Sequence, residues 1–251
     1  PTPLAVSTQK KHVGVIRKAL RFARENGKIN MIPEAPKLEK IDQTPRANFT
    51  SKEFKAFYYC LLEDVKKGEL EREVFEIYKF VPLTFVRPTE NELMGLRVRD
   101  ITVHEKKDDK DQEYLTMKID GKTGIRYSIS LPHAVKVFKK QIERKDLQPD
   151  DYLWFPETVD RKYAITKFSR LFTKLLKKHD FQYSDDGQKR SSYSLRHFGI
   201  TSRLQTSDGK VNMYTLANNA GTSVQMLEKF YLKYAKPNKG MIANLLYFDR
   251  D

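Results

Sequence analysis

The sequence predicts a mainly helical α+β protein that carries one small, three-stranded antiparallel sheet. Most of the chain shows apolar residues at helical spacing, whereas residues 99–131 hold three short alternating segments, and helical spacing resumes at Pro132. Of the 251 residues, 39% are hydrophobic and 12% are aromatic, a composition that can bury a substantial core. We therefore expect a folded globular protein rather than a disordered chain.

The first predicted element is a basic amphipathic helix over residues 8–27, on which apolar side chains form a single stripe. Residues 33–48 follow with three prolines and no sustained period, which indicates a linker. The predicted division is a helical piece (1–32), this linker, a main domain (49–235) and a C-terminal tail (236–251). The basic helix fits either a DNA-contacting element or a solvated amphipathic helix.

The main domain opens with a predicted helix that Thr50 or Ser51 caps, because Glu53 follows Thr50 at the spacing of a capping box. A second helix is predicted for residues 69–84. A third is predicted to begin at Pro88, because proline suits the first position of a helix.

The predicted sheet consists of the segments RDITVHE, EYLTMKI and RYSISL, and the last two are joined by the hairpin DGKTG. Helical spacing then predicts helices near residues 133–145, 161–179, 194–206, 211–219 and 223–235. The tail holds a final apolar stretch, MIANLLYF.

The charge and cysteine content of the chain narrow the classes of partner and site. A formal net charge of +14 and a pI near 9.6 favour a polyanionic partner, nucleic acid above all, although a basic protein without such a partner has the same composition. Cys60 is the only cysteine, which excludes an intrachain disulfide and a cysteine-rich zinc site. The sequence has neither an 18-residue apolar run nor a signal-peptide pattern, so we expect an intracellular protein without a membrane partner. Because the first residue is proline, we expect a fragment or a processed product.

Two arginines stand where helix starts are predicted. Arg87 precedes Pro88 as an N-cap, with Glu90 at the third helical position, and Arg196 lies in the first turn of the helix in SSYSLRHFGITSRL. A cation at a helix N-terminus opposes the helix dipole unless an anion binds there as well. Together the two arginines predict a phosphate clamp if the fold brings them together.

Lys122 and Tyr231 carry weaker signals when each is considered alone. Lys122 stands at the tip of the hairpin DGKTG, where a lysine is ordinarily solvated. Tyr231 shares a helical face with Val224 and Leu227, which is typical of a core tyrosine on a helix that Thr222 could cap.

In chain order, these positions read R-x-x-E, a hairpin lysine, L-R-H, then G-T-S with a tyrosine nine residues after the threonine. This order resembles the tyrosine recombinase family of the phage-integrase type, and the flanking words ENELMGLRVRDI, DYLWFP and SLRHFGITSRL resemble it too. The resemblance covers roughly residues 48–235, and it implies that residues 8–45 are the last helix and linker of a smaller core-binding domain. The residues that match the family pattern are Arg87, Glu90, Lys122, Arg196, Gly221 and Tyr231.

The resemblance implies a site-specific recombinase or integrase that cleaves and rejoins DNA through a covalent 3′-phosphotyrosyl intermediate. Arg87 and Arg196 would neutralise the non-bridging phosphate oxygens, and Lys122 would act as general acid on the departing 5′-oxygen. Tyr231 would be the nucleophile, and Glu90 would orient Arg87. We expect no metal and no cofactor, because the arginines and the lysine supply the positive charge.

Two positions depart from the family pattern. Tyr193 stands where the family has the histidine of H-x-x-R, and with an ordinary pKa of about 10 it is a poor base at neutral pH. Thr222 replaces the histidine or tryptophan after the glycine, and it can bond a phosphate oxygen or only cap a helix. His197 is given no role, because neighbours on a helix point in different directions.

The expected partner is double-stranded DNA at a recombination site, bound by a homotetramer that is a monomer or weak oligomer without DNA, in the cytoplasm of a bacterial host. The tail residues Ile242, Leu245, Leu246 and Phe248 would pack on their own domain or, as the resemblance implies, on a neighbouring protomer. Three alternatives stay open: a DNA-binding relative without catalysis, a type IB topoisomerase, and a metal-dependent nuclease that uses the carboxylates of EKKDDKDQE.

Overall fold

The structure is a computed structural model that describes residues 4–34, 47–106, 112–121, 124–207 and 210–230. The chain divides into two compact units, Pro1–Thr44 and Pro45–Asp251. The first unit contributes helix α1, Val6–Glu25, in which none of the residues is buried.

The second unit confirms the predicted fold class, because within the described residues it combines helices with one three-stranded antiparallel sheet in the order β1-β2-β3. Its strands are β1 (Ile101–His104), β2 (Tyr114–Gly121) and β3 (Gly124–Ile129). Its helices are α2 (Ser51–Lys66), α3 (Arg72–Thr84), α4 (His133–Lys145), α5 (Arg161–Lys178), α6 (Tyr193–Thr206), α7 (Met213–Ala220) and α8 (Val224–Phe230).

The start of α2 confirms the predicted capping box. The Thr50 hydroxyl accepts a hydrogen bond from the Glu53 amide at 3.2 Å, and the Thr50 amide donates to the Glu53 carboxylate at 2.8 Å. These two bonds satisfy N–H groups that the first turn of a helix leaves without an intrahelical acceptor.

The segment after α3 differs from the prediction, because no helix begins at Pro88. Residues 88–95 form turns, followed by a short 3-10 helix, Val98–Asp100. The Arg87 amide donates to the side chain of Glu92 at 2.9 Å, and the Met94 amide donates to the Thr89 carbonyl at 3.1 Å. The Thr89–Met94 bond spans five residues and so closes a wider loop than an α-helical turn.

The sheet places its two long strands in different surroundings. In β2 the alternate residues Leu115, Met117 and Ile119 are buried in the main core, where α4 packs on the strand. In β3 the pattern is reversed: Ser128 is buried and Arg126 is half-buried, whereas the apolar residues point outward. Those outward residues, Ile125, Tyr127 and Ile129, are 61%, 67% and 52% exposed.

Helices α3 and α6 approach each other closely at Gly199. A Cβ atom added to Gly199 would lie 2.4 Å from the carbonyl oxygen and 2.7 Å from the Cα of Pro82, a buried residue of α3. Such distances are far below van der Waals contact, so only glycine permits this approach. The close approach brings Arg196, one turn before Gly199, to the end of α3.

A small apolar cluster packs the last described helices, α7 and α8, against α6 and the end of α3. It joins the end of α3 to α6, α7 and α8 through Phe85, Ile200, Leu216, Ala220 and Leu227. No helix of the described ranges is both long and apolar enough to cross a membrane.

We predict that Gly199→Ala lowers the free energy of unfolding by about 1–3 kcal/mol, because the added methyl group overpacks the backbone of α3. Gly14→Ala in α1 is the matched control, since a Cβ at Gly14 meets nothing within 4 Å. Alanine is the better helix former by about 1 kcal/mol, so the control is expected to leave stability unchanged or raise it. Urea unfolding measures both; equal midpoints would show that α3 and α6 can move apart without cost.

Candidate active site

Arg196 is a buried cation in the first turn of α6. Its side chain is 3% exposed, and its guanidinium donates to the carbonyl oxygen of Phe85 and, at 2.6 Å, to that of Ala220. Phe85 ends α3 in the left-handed conformation, with φ of 59°, and Ala220 is the last residue of α7. Arg196 therefore connects the carboxyl ends of two helices, where the helix dipole favours a cation.

Arg87 reaches the same place from the turn segment that follows α3. One Nη of its guanidinium donates to the carboxylate of Glu92, and the other donates to the carbonyl oxygen of Gly221. Ala220 and Gly221 are consecutive, so the structure brings together the two arginines that the sequence predicts as a clamp. Arg87 does not, however, stand at a helix N-terminus.

The turn after α7 is shaped by Gly221. This residue has φ of 63°, and a Cβ there would lie 2.2 Å from Nε of Arg126, so the position requires glycine on both grounds. The Gly221 and Thr222 amides donate to the carbonyls of Asn218 and Ala217, each at 2.9 Å, as is typical of a helix that ends in a left-handed residue.

Glu92, and not Glu90, is the carboxylate that holds Arg87. Glu92 is 2% exposed and accepts from both the backbone amide and the guanidinium of Arg87, whereas Glu90 is exposed. The expected role of Glu90 depended on a helix that begins at Pro88. Because residues 88–95 form turns instead, the side chain that returns to Arg87 comes from two positions later.

Arg126 is a third arginine of this cluster, and sequence reasoning assigned it no role. It lies on β3 and donates from Nη2 to Glu92 at 2.7 Å, so one carboxylate is shared by two guanidinium groups. Burial is the largest influence on the Arg126 guanidinium and lowers its pKa from the usual value; Glu92 opposes this shift, and Arg87 adds to it. The alternation of β3 places Arg126 and Ser128 on one face, but the sequence gives no signal that this polar face is the inward one.

A side-chain amide fixes the distance between β3 and α7. Asn219 accepts from the Ile129 amide at 2.6 Å and donates to the Ile129 carbonyl at 2.9 Å. This pairing satisfies both backbone groups of one residue on an edge strand. It holds the carbonyls that anchor Arg87 and Arg196 next to the strand that carries Arg126.

Thr222 and Tyr193 border the cluster in different ways. Thr222 directly follows Gly221, but the side chain that caps α8 belongs to Ser223, whose hydroxyl accepts from the Met226 amide at 3.2 Å. Tyr193 is the first residue of α6, and its ring lies 6.4 Å from that of His197, one turn further along.

Lys122 and Tyr231 lie outside the described residues. The structure describes the two strands that flank Lys122, paired up to Gly121 and Gly124, and the helix that precedes Tyr231, up to Phe230. In the described part of the chain, no group of three or more His, Cys, Asp or Glu residues could hold a metal ion.

The cluster has the composition of an anion site. Two guanidinium groups, those of Arg87 and Arg126, share the Glu92 carboxylate, and that of Arg196 donates to the carbonyl of Ala220, the residue before the Gly221 that holds Arg87. These four side chains carry a surplus of two positive charges in a partly buried place. Guanidinium groups offer paired N–H donors that match the oxygens of a phosphate. The arrangement is therefore suited to bind and neutralise a phosphodiester.

Comparison with known proteins identifies the fold but no closer relative. A scan against protein-family models finds no match, and a sequence comparison with curated proteins finds none either. Among solved structures, the Tn1549 transposon integrase in complex with transposon right end DNA matches with a TM-score of 0.64 at 16% identity, covering 97% of this chain and 79% of that one.

Two further structures agree with this match. The lambda integrase dimer bound to a COC′ core site gives a TM-score of 0.60 at 15% identity, covering 88% of this chain and 58% of that one. The XerH site-specific recombinase bound to palindromic difH substrate gives a TM-score of 0.54 at 18% identity, covering 83% of this chain and 55% of that one. The chain has the fold of these integrases and recombinases. At such identities the likeness concerns the fold.

We predict that Glu92→Gln lowers the free energy of unfolding by about 3–5 kcal/mol, because it leaves two partly buried guanidinium groups without their shared counter-charge. Glu90→Gln, the same substitution two residues earlier on an exposed side chain, is expected to change it by less than about 0.5 kcal/mol. Chemical denaturation of the two variants measures the difference. Equal stabilities would mean that Glu92 does not organise the cluster.

Proposed function

We propose that this chain is a site-specific DNA recombinase that breaks and rejoins strands through a covalent phosphotyrosyl intermediate. The observation that carries the proposal is the convergence of Arg87 and Arg196 on adjacent carbonyls of the turn that leads into α8. These two arginines are far apart in the chain, and the tyrosine expected to act as nucleophile follows the same helix. The fold shared with DNA-bound integrases supports the proposal.

In this mechanism the arginines bind the non-bridging oxygens of the scissile phosphate. The two guanidinium groups would stabilise the negative charge that builds on those oxygens as phosphorus becomes five-coordinate. Because backbone carbonyls already hold each guanidinium in place, little reorganisation accompanies the reaction. Thr222, which directly follows Gly221, would donate its hydroxyl to the same phosphate.

Covalent catalysis falls to Tyr231 and Lys122. The Tyr231 hydroxyl would lose its proton to water as its oxygen attacks phosphorus, the bond to the 5′-oxygen would break, and Lys122 would give that oxygen a proton. Attack of a 5′-hydroxyl on the phosphotyrosine reverses these steps and rejoins the strand. The bond energy is conserved, so the cycle needs no ATP. The arginines and the lysine supply the positive charge, so in this proposal no metal ion is needed either.

Tyr193 takes the place of a histidine in this proposal. At the start of α6 it lies on the same helix as Arg196, from which a phenol can donate a hydrogen bond to phosphate. This substitution favours the second candidate, a DNA-binding relative without catalysis. The two candidates differ in whether a covalent adduct forms.

Helix α1 supports a further part of the proposal, that residues 1–32 belong to a core-binding domain. Its apolar side chains Val15, Ile16 and Phe22 are all exposed, and exposed apolar side chains on an amphipathic helix are normally covered by a partner element. The last helix of a larger DNA-binding domain would have this character. Residues 33–48 would then be the linker to the catalytic domain.

Covalent trapping tests the mechanism. The chain is incubated in EDTA with supercoiled plasmid and with nicked duplexes, then denatured, and protein-linked DNA is separated on a gel. We predict a metal-independent adduct that disappears in Tyr231→Phe and forms about 10²–10³-fold more slowly in Arg87→Ala and Arg196→Ala, because each removes a donor to the developing charge.

Tyr214→Phe is the matched control, because Tyr214 is an exposed tyrosine on α7 and should leave the adduct unchanged. An adduct that survives in Tyr231→Phe would assign the nucleophile elsewhere. DNA binding without any adduct would favour the non-catalytic candidate, and an adduct that requires added metal would favour a nuclease.

The tail, residues 236–251, lies outside the described residues, and we propose that it docks on a neighbouring protomer in a DNA-bound tetramer. Deletion of residues 239–251 is predicted to leave the unfolding midpoint unchanged and to abolish higher-order complexes on DNA. Gel-shift and light-scattering experiments measure the assembly. A lowered midpoint would instead place the tail on its own domain.

A further inference from the structure

The contacts of Arg126 differ from those of the two clamp arginines. Arg87 and Arg196 each donate to at least one backbone carbonyl, whereas the Arg126 side chain makes one hydrogen bond within the described residues, to Glu92. Its Nε and Nη1 are buried and find no acceptor among the residues that the structure describes. A buried donor without an acceptor costs about 1–3 kcal/mol, so this side chain is a poor device for stability alone.

The position of Arg126 is nevertheless tightly determined. Its side chain is 15% exposed, and its Nε lies 2.2 Å from the place that a Cβ of Gly221 would take, so the guanidinium packs against the turn that anchors Arg87. Asn219 fixes the same strand to α7 from the other side. The cation is thus held between the clamp and the sheet.

The Glu92 carboxylate, which Arg87 and Arg126 share, determines the effect of Arg126 on the net charge around Arg87. Arg87 and Glu92 alone would form a neutral ion pair, which would reduce the attraction of Arg87 for a phosphate. Because Arg126 takes part of the same carboxylate, Arg87 keeps a net positive surplus while it stays in place. Two charges near 4 Å interact by about 4 kcal/mol at an effective dielectric constant of about 20, so this sharing is large enough to matter.

We propose that Arg126 is a positioning residue that, by sharing Glu92, keeps the net charge around Arg87 positive toward DNA phosphate. The inference rests on the proposed function, since it assigns a role within the same phosphate site. Arg126 acts through Glu92 and Arg87 and does not itself touch the reacting atoms.

The test is a charge cycle at Glu92 and Arg126 in the full chain. Arg126→Gln removes one positive charge, Glu92→Gln,Arg126→Gln restores the original surplus, and Arg126→Lys keeps the charge without the fork. Lys118→Gln, an exposed lysine on β2, is the control for loss of any positive charge from the sheet. Circular dichroism establishes that each variant is folded at the assay temperature.

Two readouts are used. The first is the salt dependence of binding to a fluorescent DNA duplex of random sequence, and the second is the rate of covalent adduct formation at saturating plasmid. We expect Arg126→Gln to reduce the slope of log K against log salt by up to about 0.9, the value for one phosphate contact. We expect it to slow adduct formation by about 10–100-fold, which is typical when a residue is lost that orients a directly binding group but does not itself contact what is bound.

Arg126→Lys is expected to recover most of both losses, and the double variant, which lacks the carboxylate that holds Arg87, is expected to recover the salt slope alone. Lys118→Gln retains the adduct rate of the wild type. A folded Arg126→Gln that equals wild type in both readouts would overturn the inference. So would a double variant whose salt slope is lower than that of Arg126→Gln, because that result indicates a packing role. If wild type forms no adduct but the salt slopes follow the charge cycle, the proposed chemistry fails and the charge role of Arg126 stands.

Discussion

The turn at the end of α7 holds the cluster together, because its two carbonyl groups are the common anchor of two distant arginines. The last carbonyls of a helix lack intrahelical partners and carry the negative end of the helix dipole. Arg196 and Arg87 satisfy those of Ala220 and Gly221. Gly221 makes this possible, since a side chain there would occupy the space of Arg126. The geometry of the site therefore depends on one left-handed residue.

Local signals in the sequence were sufficient for most of the fold. The capping box of α2 and the β2–β3 hairpin are each determined by a few adjacent residues, and both predictions are confirmed. Arg196 could also be selected as a site residue from the sequence, because an arginine that shares a helical face with Gly199 does not fit an ordinary solvent-facing charge. The structure adds the reason for that glycine, which is the close approach of α6 to Pro82.

The partner of Arg87 could not be predicted with the same rules. Proline at a first helical position and glutamate three residues after the cap also occur in segments that are not helical. Here residues 88–95 turn back, and the interaction that wins is the burial of Glu92 against two cations. Burial of that kind depends on β3, which is more than thirty residues away in the chain. Tertiary contacts thus override the local pattern.

Arg126 shows a related limit on what the alternation of residues along a strand can predict. Alternation in a strand tells which residues share a face, but not which face is inward. In β3 the inward face meets a charged cluster instead of the apolar core, so the apolar residues are the ones left outside. The same cluster holds more positive than negative charge, and mutual repulsion between its arginines opposes folding. An anion that binds there removes the repulsion. The surplus of positive charge thus has two consequences: it lowers the stability of the fold without a bound anion, and it gives the site its affinity for phosphate.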